Sequence, residues 1–360
     1  MGNTGIARTK ASRNHPPRNE MKVAVVTPLS PTGEKGGAEL LFQGLIDGLR
    51  QNGVQADQIR CVSDESSFTS IQRTYLAFYD LDVSAYDGVI STKAPSYLVR
   101  HPNHVCYLLH TMRSYYDMFD QEFNIPSSSH LGQRELLHTL DSGALAPPRT
   151  RKIFAIGEEV AERLKNWNRL EAEVLRPALP PDRFESGEYR YLLIPSRLHR
   201  WKRIDLAIKA MSHVNGKLGV KITGTGEDAA RFRDLARGDS RIRFLGWVSR
   251  KRLLRLYANA LAVIFTPLRE DFGFVTTEAF ASAKPVITCT DSGEPARLVR
   301  DGLTGYVCAP EPESLAQAIG RLAASPDKAR SLGEHAKATA SPATWAEVGQ
   351  RLLMALEAGS

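Results

Sequence analysis

Two α/β domains, each built on a parallel sheet, are the fold class this sequence predicts. Three observations carry it. The chain has 360 residues, the length of two ordinary domains. Short apolar runs alternate with amphipathic helical stretches in both halves. A stiff segment, Arg176-Pro177 followed by Pro180 and Pro181, falls where the composition changes. Strands that alternate with helices form parallel sheets covered by those helices, so two Rossmann-like domains facing each other across a cleft are expected. The expected boundaries are a tail over 1–20, a first domain over 21–178, a second over 187–340 and a closing helix over 341–357.

Residues 1–20 are polar, rich in Arg, Asn and Pro, and without periodicity, so they are expected to be disordered. KVAVVT (22–27) is the apolar run of a buried parallel strand. The loop that follows holds Gly33, Gly36 and Gly37, and it leads into a helical pattern of Leu40, Leu41, Leu45, Ile46 and Leu49, stopped at Gly53. Strand, glycine loop and helix open a Rossmann-like unit. The G-x-G-x-x-G fingerprint and its acidic partner are missing, which disfavours a nicotinamide dehydrogenase. Further strands are expected at 88–91 and 105–109. The second ends at His110, where open α/β sheets bind ligands; for a lone His, a structural or solvated role is the alternative. A strand at 153–156 and a helix at 158–167 complete this half.

The second half restarts the same grammar. A strand at 191–194 leads into PSRLHRWKR, a loop carrying Arg197, Arg200, Lys202 and Arg203, and then into a helix at 204–211. A strand at 218–222 ends in the tight turn Gly224-Thr225-Gly226, and one at 241–245 ends in Gly246-Trp247-Val248. The helix at 250–258 is basic on one face (Arg250, Lys251, Arg255), and that face reads as solvated. The strand at 261–265 runs into a polar turn with Arg269, Glu270 and Asp271; past Gly273 a helix carries Glu278. A helix N-terminus attracts anions. Ionised carboxylates beside it accept hydrogen bonds from sugar or ribose hydroxyls. This one segment is suited to a charged, hydroxyl-rich nucleotide, with a loop of ordinary solvated acids as the alternative. Strands at 285–289 and 306–308, helices at 315–322 and 328–336, and an amphipathic helix at 344–356 close the chain.

The net charge is +7. Residues 1–180 hold 20 Lys/Arg against 20 Asp/Glu, and residues 181–360 hold 27 against 20, so the whole excess lies in the second half. That suits a compact polyanion such as a nucleoside diphosphate. Without interleaved aromatics or a known motif it does not point to nucleic acid. No apolar run approaches the ~20 residues of a membrane span, and the polar N-terminus lacks a signal-peptide core. Cys61, Cys106, Cys289 and Cys308 are scattered, without zinc or disulfide spacing. A cytoplasmic protein is expected.

In the second half, PSRLHRWKRIDLAIKA, ITGTGED, FLGWVS, Glu270 and Glu278 with seven residues between them, KPVIT and DGLTGYV stand in an order that resembles glycosyltransferase family 4, the retaining sugar-nucleotide transferases of the GT-B fold. GGAEL, the strand ending at His110 and FAIGEEVAERL resemble that family's first domain more loosely. The resemblance implies roles. Arg197 and Lys202 match the basic pair on the donor's diphosphate, Glu270 the carboxylate on the donor sugar, and Glu278 the carboxylate on the ribose. Backbone N–H groups of Phe272, Gly273 and Phe274 would face sugar and phosphate. Gly36 and Gly37 match a loop near the phosphates, and His110 a residue that contacts the transferred sugar. Trp247 and Val248 would line the base pocket, with Gly224 and Gly226 in the turn beside it. The closing helix is expected to return to the first domain.

The implied activity is a metal-independent, retaining transfer from a nucleoside diphosphate sugar, UDP before GDP, to an acceptor hydroxyl in glycan, lipopolysaccharide or secondary-metabolite synthesis. The donor is a substrate and no cofactor is expected. Two positions depart from the family pattern: Asp271 stands where Gly is common, and Gly157 where Ser is usual. Asp271 adds a negative charge near the site. The rival readings are a phosphorylase or epimerase of the same fold, a non-catalytic sugar-nucleotide-binding subunit, and a metal-dependent transferase using Asp80-Leu81-Asp82, a run that follows no strand.

Overall fold

The computed structural model describes residues 18–31, 37–340 and 343–358. The expected tail lies outside the described residues up to residue 17. The chain divides into two compact units: Met1–Phe154 with Leu164–Glu173 and Trp345–Ser360, and Ala155–Arg163 with Val174–Thr344.

The first unit follows β1 (Lys22–Leu29), α1 (Gly37–Gln51), β2 (Gln55–Val62), α2 (Phe68–Tyr79), β3 (Gly88–Ser91), β4 (His104–Leu108), α3 (Phe119–Glu122), α4 (Ser128–Leu145), β5 (Lys152–Ala155), α5 (Glu158–Asn168) and β6 (Glu173–Val174). Its six-stranded sheet has the order β2-β1-β3-β4-β5-β6, and β1 pairs in parallel with both β2 and β3. β1, β3 and β4 are buried nearly throughout, as continuous apolar runs require. Helix α5 straddles the division, with Glu158–Arg163 in the second unit.

The second unit continues with β7 (Tyr191–Pro195), α6 (Ile204–Ser212), β8 (Val220–Thr223), α7 (Ala229–Leu235), β9 (Ile242–Gly246), α8 (Arg250–Ala258), β10 (Ala260–Ile264), α9 (Phe274–Ala281), β11 (Val286–Cys289), α10 (Glu294–Leu298), β12 (Gly305–Cys308), α11 (Pro312–Ala324) and α12 (Pro326–Thr339). The sheet order is β12-β11-β10-β7-β8-β9, with parallel pairing of β7 to β8 and β10. Leu192, Ile194, Ile222, Ile264 and Ile287 of this sheet pack with Ile204 and Ile208 of α6 and Leu315, Ile319 and Leu322 of α11. Leu193 and Val263 point to the other face, with Tyr257 and Phe280.

The last helix, α13 (Trp345–Glu357), belongs to the first unit and packs along α1, as expected for a returning helix. Asn52 donates to Ala346 C=O at 2.8 Å, and Arg18 pairs with Glu357 at 2.7 Å. Among the described residues no helix is long and apolar enough to cross a membrane. All four cysteines are free thiols.

Candidate active site

The strand order of the second sheet reverses between β7 and β10: β8 and β9 lie beyond one, β11 and β12 beyond the other. Loops that leave two such strands diverge and open a crevice at their C-terminal ends, where α/β sheets bind ligands. The loop 196–203 leaves β7 and the loop 265–273 leaves β10. They carry the predicted basic residues and the first predicted carboxylate.

Backbone and side chain bring these loops together. Arg203, in the left-handed region at φ 48°, opens α6. Its guanidinium holds both oxygens of Asp291 at 2.7 and 2.6 Å and donates to the carbonyls of Thr266 and Pro267 at 2.8 and 2.9 Å. Leu268 N–H donates to Trp201 C=O at 2.8 Å. With the loops stitched in this way, Lys202 Nζ lies 2.7 and 2.6 Å from the two carboxylate oxygens of Glu270, partly shielded from water. A charge-assisted contact of this kind is stronger than a neutral one.

Arg197 is positioned from below. Ser196 N–H donates to Thr223 C=O and Leu198 N–H to Thr225 C=O, at 3.2 and 2.8 Å, so its loop rests on the turn holding Gly224 and Gly226. At Gly224, φ is +108° and a Cβ would fall 2.0 Å from Ser196 O, so only glycine fits there. The Arg197 guanidinium lies 3.4 Å from Glu227, which also faces His199 at 3.4 Å. Burial lowers the His199 pKa. Gly224 N–H donates to Gly246 C=O at 2.8 Å, which sets Trp247 and Val248 beside the same turn. Trp247 is 75% exposed, an unusual position for an indole.

Past Glu270, Phe272 is buried and meets the ring of Phe274 edge-on at 5.2 Å. Gly273, at φ 75°, starts α9. This helix buries Glu278, whose Oε1 lies 2.8 Å from Arg250 Nη1. Burial raises the Glu278 pKa and the Arg250 guanidinium opposes it. Arg250 also donates to Asp182 Oδ2 at 2.9 and 2.6 Å. The expectation of a solvated basic face on α8 therefore fails at Arg250. A signal for this was present: the first turn of α8 has no acidic residue and several cations, opposing the helix dipole unless a carboxylate sits nearby.

In the first unit, His110 follows β4, and its Nδ1 lies 2.8 Å from Thr111 C=O. Donation from Nδ1 leaves Nε2 as the acceptor. Gly37 is the first residue of α1; Gly36 lies outside the described residues. The second unit thus brings Lys202 and Glu270 into contact, with Arg197, Glu278, Gly224, Gly226, Trp247 and Val248 placed by the same loops and sheet, while His110 and Gly37 belong to the other unit. Asp80 caps α2, and Asp82 accepts from Ser84 N–H and Oγ at 3.0 and 2.7 Å. Among the described residues no cluster of three or more His, Cys, Asp or Glu is arranged to hold a metal ion.

Residues 176–339 match the family model of Glycosyl transferases group 1. Human alpha-1,3/1,6-mannosyltransferase ALG2 is 26% identical over 203 residues, covering 48% of this chain and 49% of the relative. The chain therefore spans about half the length of that relative. Among solved structures, Anabaena HepE in complex with UDP and glucose is similar at 16% identity and a TM-score of 0.69, over 94% of this chain and 100% of the other. Sucrose-phosphate synthase from Thermosynechococcus elongatus is similar at 18% identity and a TM-score of 0.73, with the same coverage. The two six-stranded parallel sheets and the matched structures give the chain the GT-B fold, and its residues 176–339 are similar to the group 1 glycosyl transferases.

Proposed function

We propose that this chain transfers a sugar, with retention, from a nucleoside diphosphate sugar to an acceptor hydroxyl. The observation that carries the reading is the Lys202 ammonium on the Glu270 carboxylate at the C-terminal ends of β7 and β10. A cation and a hydroxyl acceptor side by side suit the junction between diphosphate and sugar. UDP is the favoured nucleotide; HepE, of the same fold, is solved with UDP and glucose.

In this reading Lys202 and Arg197 neutralise the charge that grows on the leaving diphosphate, the main demand of such a step. Glu270 accepts from a hydroxyl of the donor sugar, and Glu278, oriented by Arg250, accepts from the ribose. Trp247 offers its exposed ring face to the base. Gly36, Gly37 and His110 serve the phosphate and the transferred sugar. The donor's C1–O bond to phosphate breaks and the acceptor oxygen bonds to C1 from the same face. The acceptor's proton passes to the leaving phosphate oxygen, so no separate carboxylate base is required and neither metal nor cofactor is invoked. The work is placed in the cytoplasm, on a glycan, lipopolysaccharide or natural-product acceptor.

The test is a thermal-shift screen with UDP, GDP, ADP and dTDP sugars, since a ligand bound only by the folded state raises the melting temperature by mass action. A shift with UDP sugars, followed by release of UDP and a product of unchanged anomeric configuration by NMR, is the expected result. No shift with any nucleotide sugar, or an inverted product, overturns the reading.

A further inference from the structure

Asp271 follows Glu270 directly, and its carboxylate is already engaged. Asp271 Oδ1 lies 2.6 Å from Nη1 of Arg163, whose side chain is 2% exposed. A guanidinium taken out of water is costly unless a carboxylate lies beside it. Arg163 comes from α5, and the start of α5 reaches the same loop by a second route. Glu294 is fully buried. Its Oε2 accepts the backbone N–H groups of Glu158 and Glu159, the first residues of α5, at 2.8 and 3.3 Å. Its Oε1 accepts Arg176 Nε and Nη2 at 3.0 and 2.8 Å. The backbone N–H of Glu294 donates to the carbonyl of Glu270 itself, at 2.9 Å.

Gly157 makes room for this arrangement. A Cβ there would fall 2.7 Å from Glu294 Cδ and 2.9 Å from Asp271 O. The first belongs to a carboxylate pinned by Arg176 and the amides of Glu158 and Glu159, and the second is backbone, so any larger residue at 157 must push the loop or Glu294 away. Gly157, Arg163, Asp271 and Glu294 thus meet at one locus, and the peptide of Glu270 lies within it. Its carbonyl is held by Glu294 and the next side chain by Arg163, while its own carboxylate faces Lys202.

We infer that Arg163, Asp271 and Glu294 form a clasp that fixes the Glu270 loop on the first turns of α5, with Arg163 a positioning residue for the Glu270 carboxylate. The inference deepens the proposed transfer and rests on it. Arg163 acts through Glu270 and touches no substrate. A displacement of about 1 Å at a reacting centre lowers rates on the order of a hundredfold, so loosening the clasp acts on turnover. The ribose contact rests on a different set, Glu278 with Arg250 and Asp182, and Arg197 stands on the other loop, so UDP affinity changes less than turnover.

The test compares Arg163→Met, Asp271→Asn and the double variant. Each single change strands a buried charge and lowers the melting temperature. The double change removes both charges and restores most of that loss. Three quantities are read on the folded double variant: UDP affinity by calorimetry, donor turnover, and hydrogen exchange of the amides at 269–274. UDP affinity within about threefold of the unmodified chain, exchange at least about tenfold faster and turnover at least about tenfold lower are expected. Unchanged exchange, or unchanged turnover in an active enzyme, overturns the clasp. Should the double variant not fold, Arg163→Lys keeps the charge but loses the planar fork, and the same three quantities are read on it. If the unmodified chain turns over no nucleotide sugar, the proposed function fails, and the exchange rates alone decide the clasp.

Discussion

Lys202 and Arg197 carry the same charge, yet the structure holds them differently. Lys202 is partly buried and sits within 2.7 Å of both oxygens of Glu270. Arg197 is more than half exposed and faces Glu227 at 3.4 Å, a contact of the weak surface kind. Both side chains lie on loops, so their removal leaves the sheet intact. Substituting Lys202, Arg197 or Glu270 by Ala is expected to lower donor turnover by well over about tenfold, each loss exceeding about 1.4 kcal/mol of barrier. The melting temperature should stay within about 3 °C of the unmodified chain, as for changes away from the core. Normal turnover in Lys202→Ala sinks the assignment of Lys202 to the diphosphate. At this scale the sequence was most legible where residue type alone fixes the chemistry. The Glu270 and Glu278 spacing and the basic loop stood out because their order resembles a known family, and the structure brings Lys202 and Glu270 into contact. Arg250 and Arg163 were missed because each sits on an amphipathic helix where a long cation ordinarily points to water. Asp271 and Gly157 were noticed as departures, but only the fold brings them within reach of each other and of Glu294.

Elements were legible in proportion to how apolar their buried faces are. The runs at 88–91 and 191–194 match β3 and the core of β7 because central strands are buried on both sides. β2 was not visible: as an edge strand, only Ala56 of its residues is fully buried, and Gln58 and Arg60 break the apolar run. Helix α4 was hidden by its own core residue. Its buried positions are Leu137, Asp141, Ala144 and Leu145, and Asp141 is there because Tyr75 and Tyr116 donate to it at 2.9 and 2.7 Å. A polar residue at the centre of the buried stripe erases the periodic signal. The closing helix was legible, and its seat on α1 makes a prediction of its own. A Cβ on Gly48 would lie 2.0 Å from the carbonyl oxygen of Trp345, and one on Gly349 would lie 2.7 Å from the backbone of Gly48. Two helices touch at backbone distance here, which small residues alone permit. Gly48→Val is expected to lift α13 off α1 and lower stability by roughly 1–3 kcal/mol, the range for overpacking. Faster proteolysis at the C-terminus in the variant, together with a lower denaturant midpoint, checks it; an unchanged midpoint refutes the close seat.

Across the whole molecule, buried titratable groups set how stability follows pH. In the first unit, burial raises Asp141 to about 6, offset in part by the tyrosine hydroxyls, and lowers His104 to about 3. Their effects oppose. The folded Asp141 holds a proton that the unfolded chain has lost between pH 3.8 and about 6, so its contribution falls as pH rises. The unfolded His104 holds a proton that the folded one has lost between about 3 and 6.5, so its contribution rises. The two largely cancel in mild acid. Lys284 of the second unit has no such counterweight. It is fully buried, with Nζ 3.4 Å from the centre of the Tyr189 ring and 3.4 Å from Glu188 C=O. Burial, then the Arg330 charge, lowers it from 10.5 to about 7. Below pH 7 both states hold the proton and the buried charge destabilises the fold in full. Above pH 7 the folded state releases it while the unfolded state keeps it to about 10.5, so stability rises with pH, by at most about 1.4 kcal/mol per unit. The thiols of Cys289 and Cys308, raised by burial to about 12 and about 11 from 9.0, begin to oppose this near pH 9. The clean window is therefore pH 7 to 8.5. Chemical denaturation of the full chain across that window should show a midpoint that climbs with pH. Lys284→Met, which keeps the volume and removes the charge, should raise the midpoint at pH 7 and flatten the climb. A Lys284→Met chain with the same slope as the unmodified one shows that the ammonium is solvated in the folded protein, and that Tyr189 and Glu188 do not enclose it.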